Sequence, residues 1–489
     1  MSATLKSKAI GGVFWSFLER AGQQGISFFI SIILARLLLP AQFGLVGMLS
    51  LFIEIARVFV DSGFGAALIQ RKKATDIDAC SIFYFNVLVG LLAMGLLCVL
   101  APLVADFYHQ PILTPLMRAL SVTLVINSFA GVQTALLSKR IDFKTQLKVG
   151  VAATLLSGVI GIAMAIQGFG VWSLVAQYIS SSLFRTMFLW GLSPWRPKLT
   201  FRFAALKEMF AFGSNLLAST LLNTFFENIY LVVIGRLFSA GQLGLYSGAR
   251  RIQNMATINI TGVVMQVAFP VFSVIQDDRA RLKRSMRKAM TTLALVNFPI
   301  MVGLALVARP VVSVLLTEKW AAAVPWLQLL CVAGLLYPFQ SLHLNVLKAI
   351  GRSDLFFLLE VVKKILIVVL IATTYRWGVT GMLWGQIAMS VAGYYINSYY
   401  TMRLIGYGLK EQLADLAPYA GISALMGAGV YVVQLVPFPG DVLLLVTEVL
   451  LGTSLYVVLN YVFGPRAFLE AAAVAKDKLR PHVLFLVRS

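Results

Sequence analysis

The sequence predicts an all-α protein that crosses a membrane about fourteen times, and three observations support this fold class. Of the 489 residues, 59% are hydrophobic and only 12% are charged, and the mean hydropathy is +0.85. Apolar stretches long enough to cross a bilayer as helices recur along the whole chain. Lysines and arginines cluster in the short segments between these stretches. This composition argues against a protein built of several soluble domains.

The predicted spans follow one another with short connections. Their approximate limits are residues 13–36, 44–69, 79–105, 112–137, 149–166, 171–191, 209–234, 243–275, 289–316, 322–347, 355–374, 379–402, 416–436 and 442–463. We expect an N-terminal lobe of six helices over residues 1–195 and a C-terminal lobe of six over 196–405. Two further helices and a cytoplasmic tail then occupy residues 406–489.

Both chain ends are predicted to be cytoplasmic, because lysine and arginine concentrate in loops on one side of the membrane. That side holds the basic runs at 71–73 and 279–288, whereas the loops on the other side hold only Arg36, Arg236, Lys319 and Arg376. Topology therefore explains the net charge of +21 without a nucleic-acid partner. No small-residue cleavage site follows the first apolar run, so we expect that helix to be retained.

An internal repeat relates the two predicted lobes at an offset of 200 residues. Arg36-Leu37, Gln42, Gly44 and Leu45 match Arg236-Leu237, Gln242, Gly244 and Leu245 without a gap. The same offset carries the polar residues of the first span onto polar residues of the seventh. Because six helices form each repeat, both lobes enter the membrane in the same direction, related by an axis along the membrane normal.

The second span carries a polar stripe where a membrane helix should have none. Ser50, Glu54, Arg57, Asp61 and Gly65 recur at spacings of three and four, so they share one helical face. A charged side chain at the bilayer centre costs about 3 kcal/mol even on a lenient scale, so these charges need partners, water or a function. The offset places Arg250, Asn254, Thr257 and Thr261 at the equivalent positions of the eighth span.

These patterns predict a polar cavity lined by the first two helices of each lobe. The candidate residues for binding an anionic substrate are Arg20, Arg57, Arg250 and Arg251, with Arg118 as an ambiguous fifth. The predicted polar lining consists of Gln23, Gln24, Asn223, Asn254, Thr257 and Thr261. Guanidinium groups bind phosphate well, which favours a phosphorylated substrate. The alternative is internal pairing, for example of Arg57 with Glu54 or Asp61. Arg185, Arg309, Lys363 and Lys364 are interpreted as snorkelling residues near helix ends.

Four carboxylates could serve as counter-charges or could bind a coupling proton or sodium ion: Glu19, Glu54, Asp61 and Glu227. We expect no other cofactor and no metal site, because His109, His343 and His482 are isolated. Motifs for nucleotide hydrolysis and for familiar hydrolases are absent from the sequence. The predicted outer loops are short, which argues against an enzyme that polymerises sugars outside the cell.

Several stretches resemble one known family in combination. They are GGVFWS at 11–16, RLLLPAQFGLVG at 36–47, DSGFGAALIQR at 61–71 and GFGVWSLVAQ at 168–177. The chain resembles the polysaccharide-transporter branch of the multidrug, oligosaccharidyl-lipid and polysaccharide exporter superfamily. Within that branch it is most similar to colanic-acid exporters and O-antigen flippases.

This resemblance implies a flippase of the bacterial inner membrane. It implies alternating access that moves an undecaprenyl-pyrophosphate-linked repeat unit from the inner to the outer leaflet, for exopolysaccharide, capsule or O-antigen synthesis. In relatives, cationic cavity residues on the first helices of each lobe are important, which agrees with Arg20, Arg57 and Arg250. Membrane lipids, a polysaccharide polymerase and a chain-length regulator are candidate partners, and a monomer is expected. The alternatives are a cation-coupled drug exporter and a non-transporting scaffold of an envelope-synthesis complex.

Overall fold

A computed structural model describes the backbone of residues 3–61, 63–71, 74–470 and 472–473. Some side chains within the helices, including those of Arg20 and Thr261, lie outside the described part. The protein is 88% helical, and the described residues form no strand. The predicted all-α membrane fold is therefore confirmed.

Eight helices and the start of a ninth form the first of two compact units, residues 1–247. They are α1 (Ala3–Leu37), α2 (Pro40–Asp61), α3 (Phe64–Gln70), α4 (Asp76–Tyr108), α5 (Leu113–Lys139), α6 (Phe143–Ile166), α7 (Val171–Leu192), α8 (Phe203–Leu237) and α9 (Ala240–Val274). Helix α4 packs on α5, α6 packs on both α1 and α7, and α2 touches α4, α5, α7 and α8.

The second unit, residues 248–489, contains the rest of α9 and eight further helices. They are α10 (Arg279–Leu306), α11 (Ala308–Leu316), α12 (Val324–Gly334), α13 (Tyr337–Ala349), α14 (Ser353–Thr374), α15 (Gly378–Ile405), α16 (Leu409–Gln434) and α17 (Asp441–Phe463). Helix α10 packs on α16, α15 packs on α12 and α14, and α16 packs on α17. The division at Ser247 falls inside α9, and the three parts expected from the sequence stay a prediction.

Every predicted span falls on helix, but three of them are broken in two. The spans at 44–69, 289–316 and 322–347 become α2 with α3, α10 with α11, and α12 with α13. Gly63, with a φ of 68°, marks the first break, a backbone conformation that glycine adopts at little cost. Nine helical segments of the described chain are long and apolar enough to cross a membrane, so the count of fourteen stays a prediction.

Prolines inside the second unit leave backbone carbonyls without their helical donors, and side chains replace those donors. A proline at position i has no N–H for the carbonyl at i−4, and in a bilayer such a group must be satisfied by protein. For Pro299, the Tyr456 hydroxyl donates to Leu295 O at 2.7 Å. For Pro310, the Gln434 amide donates to Leu306 O at 2.9 Å. For Pro338, the Asn297 amide donates to Gly334 O at 3.5 Å. Two of these donors lie on α16 and α17, so the last two helices satisfy carbonyls that prolines leave free elsewhere in their unit.

The sequence repeat reappears as a close crossing at the starts of α2 and α9, within residues 1–247. A Cβ atom at Gly44 would overlap the carbonyl of Ala240, and one at Gly244 would overlap the carbonyl of Pro40. The two glycines are 200 residues apart, and so are the residues that they contact, Pro40 and Ala240. The matched glycines therefore allow the two helix backbones to touch.

Candidate substrate-binding site

The polar stripe of α2 is present in the structure as a chain of charges. Arg57 Nη1 lies 3.5 Å from Glu54 Oε1, and Arg57 Nε lies 3.9 Å from Asp61 Oδ2. The three side chains remain between 46% and 68% exposed. The internal pairing that the sequence left open does occur, but long distances and open surroundings leave the guanidinium accessible to a ligand.

A second arginine joins this group from another helix. Arg185, on α7, lies close enough to Arg57, Asp61 and Glu19 to interact with each electrostatically. Helices α1, α2 and α7 thus contribute to one charge cluster, which consists of Glu19, Glu54, Arg57, Asp61 and Arg185. We call it the charge cluster below.

The sequence interpretation missed Arg185, because it assigned this residue to a helix end. Helix α7 continues to Leu192, so Arg185 lies about two turns before the end. Spacing on one helix identifies a polar face, but it does not show which other helix packs beside it. A lone arginine deep in an apolar span was the available signal.

The predicted polar residues of α1 occupy different surroundings. Gln23 donates to Glu19 Oε1 at 3.5 Å, and its amide packs over Gly150 of α6 so closely that a Cβ there would overlap it. Gln23 therefore belongs to the interface between α1 and α6 as well as to the charge cluster. Gln24 is partly exposed, and the side chain of Arg20 is among those outside the described part.

Arg118 has a local structural partner. Its Nε donates to the carbonyl of Cys98 at 3.4 Å, and this is the carbonyl that Pro102 leaves without a helical donor. The side chain thus compensates for a proline in α4, as three side chains do in the second unit. Its predicted role in substrate binding stays a prediction.

The remaining predicted residues lie on α8 and α9. Asn223 and Glu227 are exposed on α8, Arg251 is exposed on α9, and Arg250 and Asn254 are partly exposed. Thr257 is only 2% exposed and its hydroxyl donates to Gln253 O at 3.1 Å, so it faces protein. Thr261 is outside the described side chains.

The described residues include no group of three or more His, Cys, Asp or Glu side chains arranged to hold a metal ion. The charge cluster contains three carboxylates and two guanidiniums, and the guanidiniums are the groups in it that can pair with an anionic headgroup. A coupling proton or sodium ion stays a prediction.

Comparisons with known proteins show which family and which relatives this chain resembles. A model of the polysaccharide biosynthesis protein family matches residues 33–325. Teichuronic acid biosynthesis protein TuaB of Bacillus subtilis is 30% identical over 76% of this chain and 78% of its own. Lipopolysaccharide biosynthesis protein WzxC of Escherichia coli is 29% identical over 80% and 81%. Succinoglycan biosynthesis transport protein ExoT of Rhizobium meliloti is 28% identical over 98% and 99%.

Solved structures share the fold at low sequence identity. The lipid II flippase MurJ in an inward closed conformation has a TM-score of 0.73 and 15% identity, over 92% of this chain and 98% of its own. An inward-facing multidrug resistance transporter of the MATE family has a TM-score of 0.62 and 16% identity, over 78% and 95%. The chain is therefore a multi-pass membrane protein with a transporter fold, and it belongs to the polysaccharide biosynthesis protein family.

Proposed function

We propose that this protein is a flippase that moves an undecaprenyl-pyrophosphate-linked oligosaccharide repeat unit from the cytoplasmic to the periplasmic leaflet. The observation that carries the proposal is the charge cluster, in which Arg57 of α2 and Arg185 of α7 lie close enough to interact electrostatically. Relatives named for teichuronic acid, lipopolysaccharide and succinoglycan biosynthesis support it, and so does the fold shared with a lipid II flippase.

The chemistry of the substrate explains why arginines would be retained in a membrane. A diphosphate group cannot cross hydrocarbon without partners, because an unpaired charge there is strongly disfavoured. Two guanidiniums offer forked donors that match phosphate oxygens. The adjacent carboxylates neutralise the arginines when no substrate is bound, so neither guanidinium of the empty site lacks a counter-charge.

The membrane potential favours export of such a headgroup. In a membrane that is negative inside, each negative charge that moves outward gains about 2.3 kcal/mol per 100 mV. Transport by alternating access then needs no nucleotide hydrolysis, in keeping with a non-enzymatic protein. We place it in the bacterial inner membrane with both termini in the cytoplasm, and propose a polysaccharide polymerase and a chain-length regulator as partners.

A flipping assay with reconstituted protein tests the proposal. Vesicles containing the purified protein and a fluorescent undecaprenyl diphosphate with one hexose are treated with a membrane-impermeant quencher. We expect the wild type to accelerate exposure of the lipid, and Arg57→Ala and Arg185→Ala each to reduce the rate at least about tenfold, as loss of a charge-assisted contact predicts.

The exposed Lys207 supplies the control, since Lys207→Ala removes a positive charge away from the charge cluster. It should flip lipid at the wild-type rate. Equal rates for vesicles with and without wild-type protein would contradict the flippase proposal. A cation-coupled drug exporter would instead transport cationic dyes and leave the lipid unmoved, and a scaffold would keep its function in both arginine variants.

A further inference from the structure

A cavity of 330 Å³ lies within the first unit, beside the break between α2 and α3. Residues of α2, α3, α4, α5 and α8 line it. Its volume is within the range of about 300–1,000 Å³ that is typical of small-molecule sites. Asp61 is part of its wall, so the cavity adjoins the charge cluster.

Asn86 gives this cavity a polar group that calls for a ligand. The side chain lines the cavity and is only 4% exposed. Its Oδ1 has no hydrogen-bond partner among the described residues. A buried amide oxygen without a donor is costly, by about 1–3 kcal/mol, so a turn of the amide that brings this oxygen to the cavity and to the hydrogen-bond donor of a bound molecule would stabilise it.

The wall of the cavity has a polar part and an apolar part. Asp61, Asn86, Thr134 and Ser138 provide oxygens, while aliphatic side chains such as Ile82 and Leu217 supply most of the remaining surface. The Thr134 hydroxyl donates to Ala130 O at 3.0 Å, which leaves its lone pairs to accept. The polar part thus accepts hydrogen bonds, and the apolar part suits a carbon skeleton.

This combination matches a sugar ring, whose hydroxyl groups donate hydrogen bonds while its C–H faces pack on apolar surface. A lipid tail would leave Asn86 Oδ1 without a donor. A metal ion would prefer more oxygen ligands and less aliphatic wall. A sugar ring therefore satisfies both parts of the wall, with its hydroxyls on the polar part and its C–H faces on the apolar part.

We propose that this cavity binds the sugar that is joined directly to the diphosphate of the lipid-linked substrate. Asn86 and Asp61 accept hydrogen bonds from its hydroxyls, while Arg57 and Arg185 hold the diphosphate next to it. Asp61 lines the cavity and also pairs with Arg57, so one side chain connects the two binding regions. This inference rests on the proposed function, because it takes the sugar to be carried by a lipid diphosphate.

Lipid binding to the purified full-length protein tests the inference. The probes are undecaprenyl diphosphate without sugar and undecaprenyl diphosphate with a single glucose or, in a second arm, galactose. We expect the wild type to bind at least one sugar-bearing lipid about tenfold more tightly than the bare lipid, the effect of one or two hydrogen bonds.

Two variants change the cavity in different ways. Asn86→Leu removes the buried acceptor, and Thr134→Leu replaces a hydroxyl and fills space. Both should lose the preference for the sugar-bearing lipid and still bind the bare lipid within about twofold of the wild type, which also shows that they are folded. Gly95→Leu is the control on α4, since a Cβ at Gly95 meets no atom within 4 Å, and it should keep the preference.

The outcomes separate this inference from the proposed function. If the wild type shows no preference for either sugar, or if the preference persists in both variants, the sugar-binding cavity is wrong while the flippase proposal stands. If the wild type does not bind bare undecaprenyl diphosphate, the proposed function fails, and this inference fails with it.

Discussion

Two groups of charged residues in the first unit differ in burial and in the number of hydrogen-bond donors around their carboxylates. At the start of α4, the Asp78 carboxylate is 0% exposed and lies 3.5 Å from Arg71 Nε and 3.4 Å from Arg202 Nη2. It also accepts the Thr75 backbone N–H at 3.0 Å, which completes a capping box. The charge cluster around Arg57 has looser pairs, and its paired side chains are about half exposed.

The difference indicates which carboxylates maintain structure and which are available for function. Asp78 has several donors around a buried position, and through Arg202 it ties the segment between α7 and α8 to the start of α4. The ion pair of Glu54 with Arg57 lies in open surroundings, where such a pair adds at most about 1 kcal/mol to stability. In the sequence both are acidic residues within seven positions of an arginine; burial distinguishes them.

Replacing the buried carboxylate should have the largest effect. Asp78→Asn removes a charge that faces two guanidiniums and a helix N-terminus, and breaking such a buried pair costs about 3–5 kcal/mol. The side chains of Arg71 and Arg202 are 28% and 48% exposed, so water compensates part of their charge. We therefore expect a loss of stability near the lower end of this range. Thermal unfolding of the purified protein, followed by size-exclusion chromatography or intrinsic fluorescence, measures it.

Asp76 provides the control for this change. It lies two residues away, its side chain is 65% exposed, and its pair with Lys198 spans 3.5 Å. Asp76→Asn should change the unfolding free energy by less than about 1 kcal/mol. If the two variants are destabilised equally, burial does not explain why Asp78 should contribute more to stability than Asp76.

The same carboxylate-to-amide change at Glu54 should act on binding rather than on stability. Glu54→Gln releases Arg57 from one counter-charge, so the guanidinium should bind a diphosphate lipid more tightly, by about threefold to tenfold. The unfolding temperature should stay close to that of the wild type. Binding of bare undecaprenyl diphosphate measures the effect, and weaker binding would mean that Glu54 itself contacts the substrate or a coupling ion.

Some of this arrangement could be predicted from the sequence. Hydropathy gave the apolar spans, and the spacing of three and four placed Glu54, Arg57 and Asp61 on one face, because both signals depend on residues within one helix. The breaks at Gly63 and near Pro338 were not predicted. Near Pro338, the residue that satisfies the freed carbonyls comes from another helix. Asn297 shows this, because it acts from α10 on the α12–α13 break.

Burial also separates residues that look alike in the sequence. Lys363 was interpreted as snorkelling, yet it is 8% exposed and its Nζ lies 2.5 Å from Glu360 Oε1. Arg185, assigned to the same class, is exposed and belongs to the charge cluster. The role of Asn86 could not be predicted from the sequence, because one asparagine in an apolar span does not reveal the cavity that it lines. These distinctions depend on packing between helices, which periodicity does not encode.

The smallest expected effect concerns Arg118 and contrasts it with Arg57. Arg118→Leu removes the donor to Cys98 O, the carbonyl that Pro102 leaves without a helical donor. The loss of one such hydrogen bond costs about 1 kcal/mol. We therefore expect a slightly lower unfolding temperature and an unchanged rate of lipid flipping per folded molecule. Arg57→Ala should show the reverse pattern, with normal stability and slow flipping. If Arg118→Leu slows flipping as strongly as Arg57→Ala does while unfolding at the wild-type temperature, Arg118 acts on the substrate, as the sequence first suggested, and its bond to Cys98 is incidental.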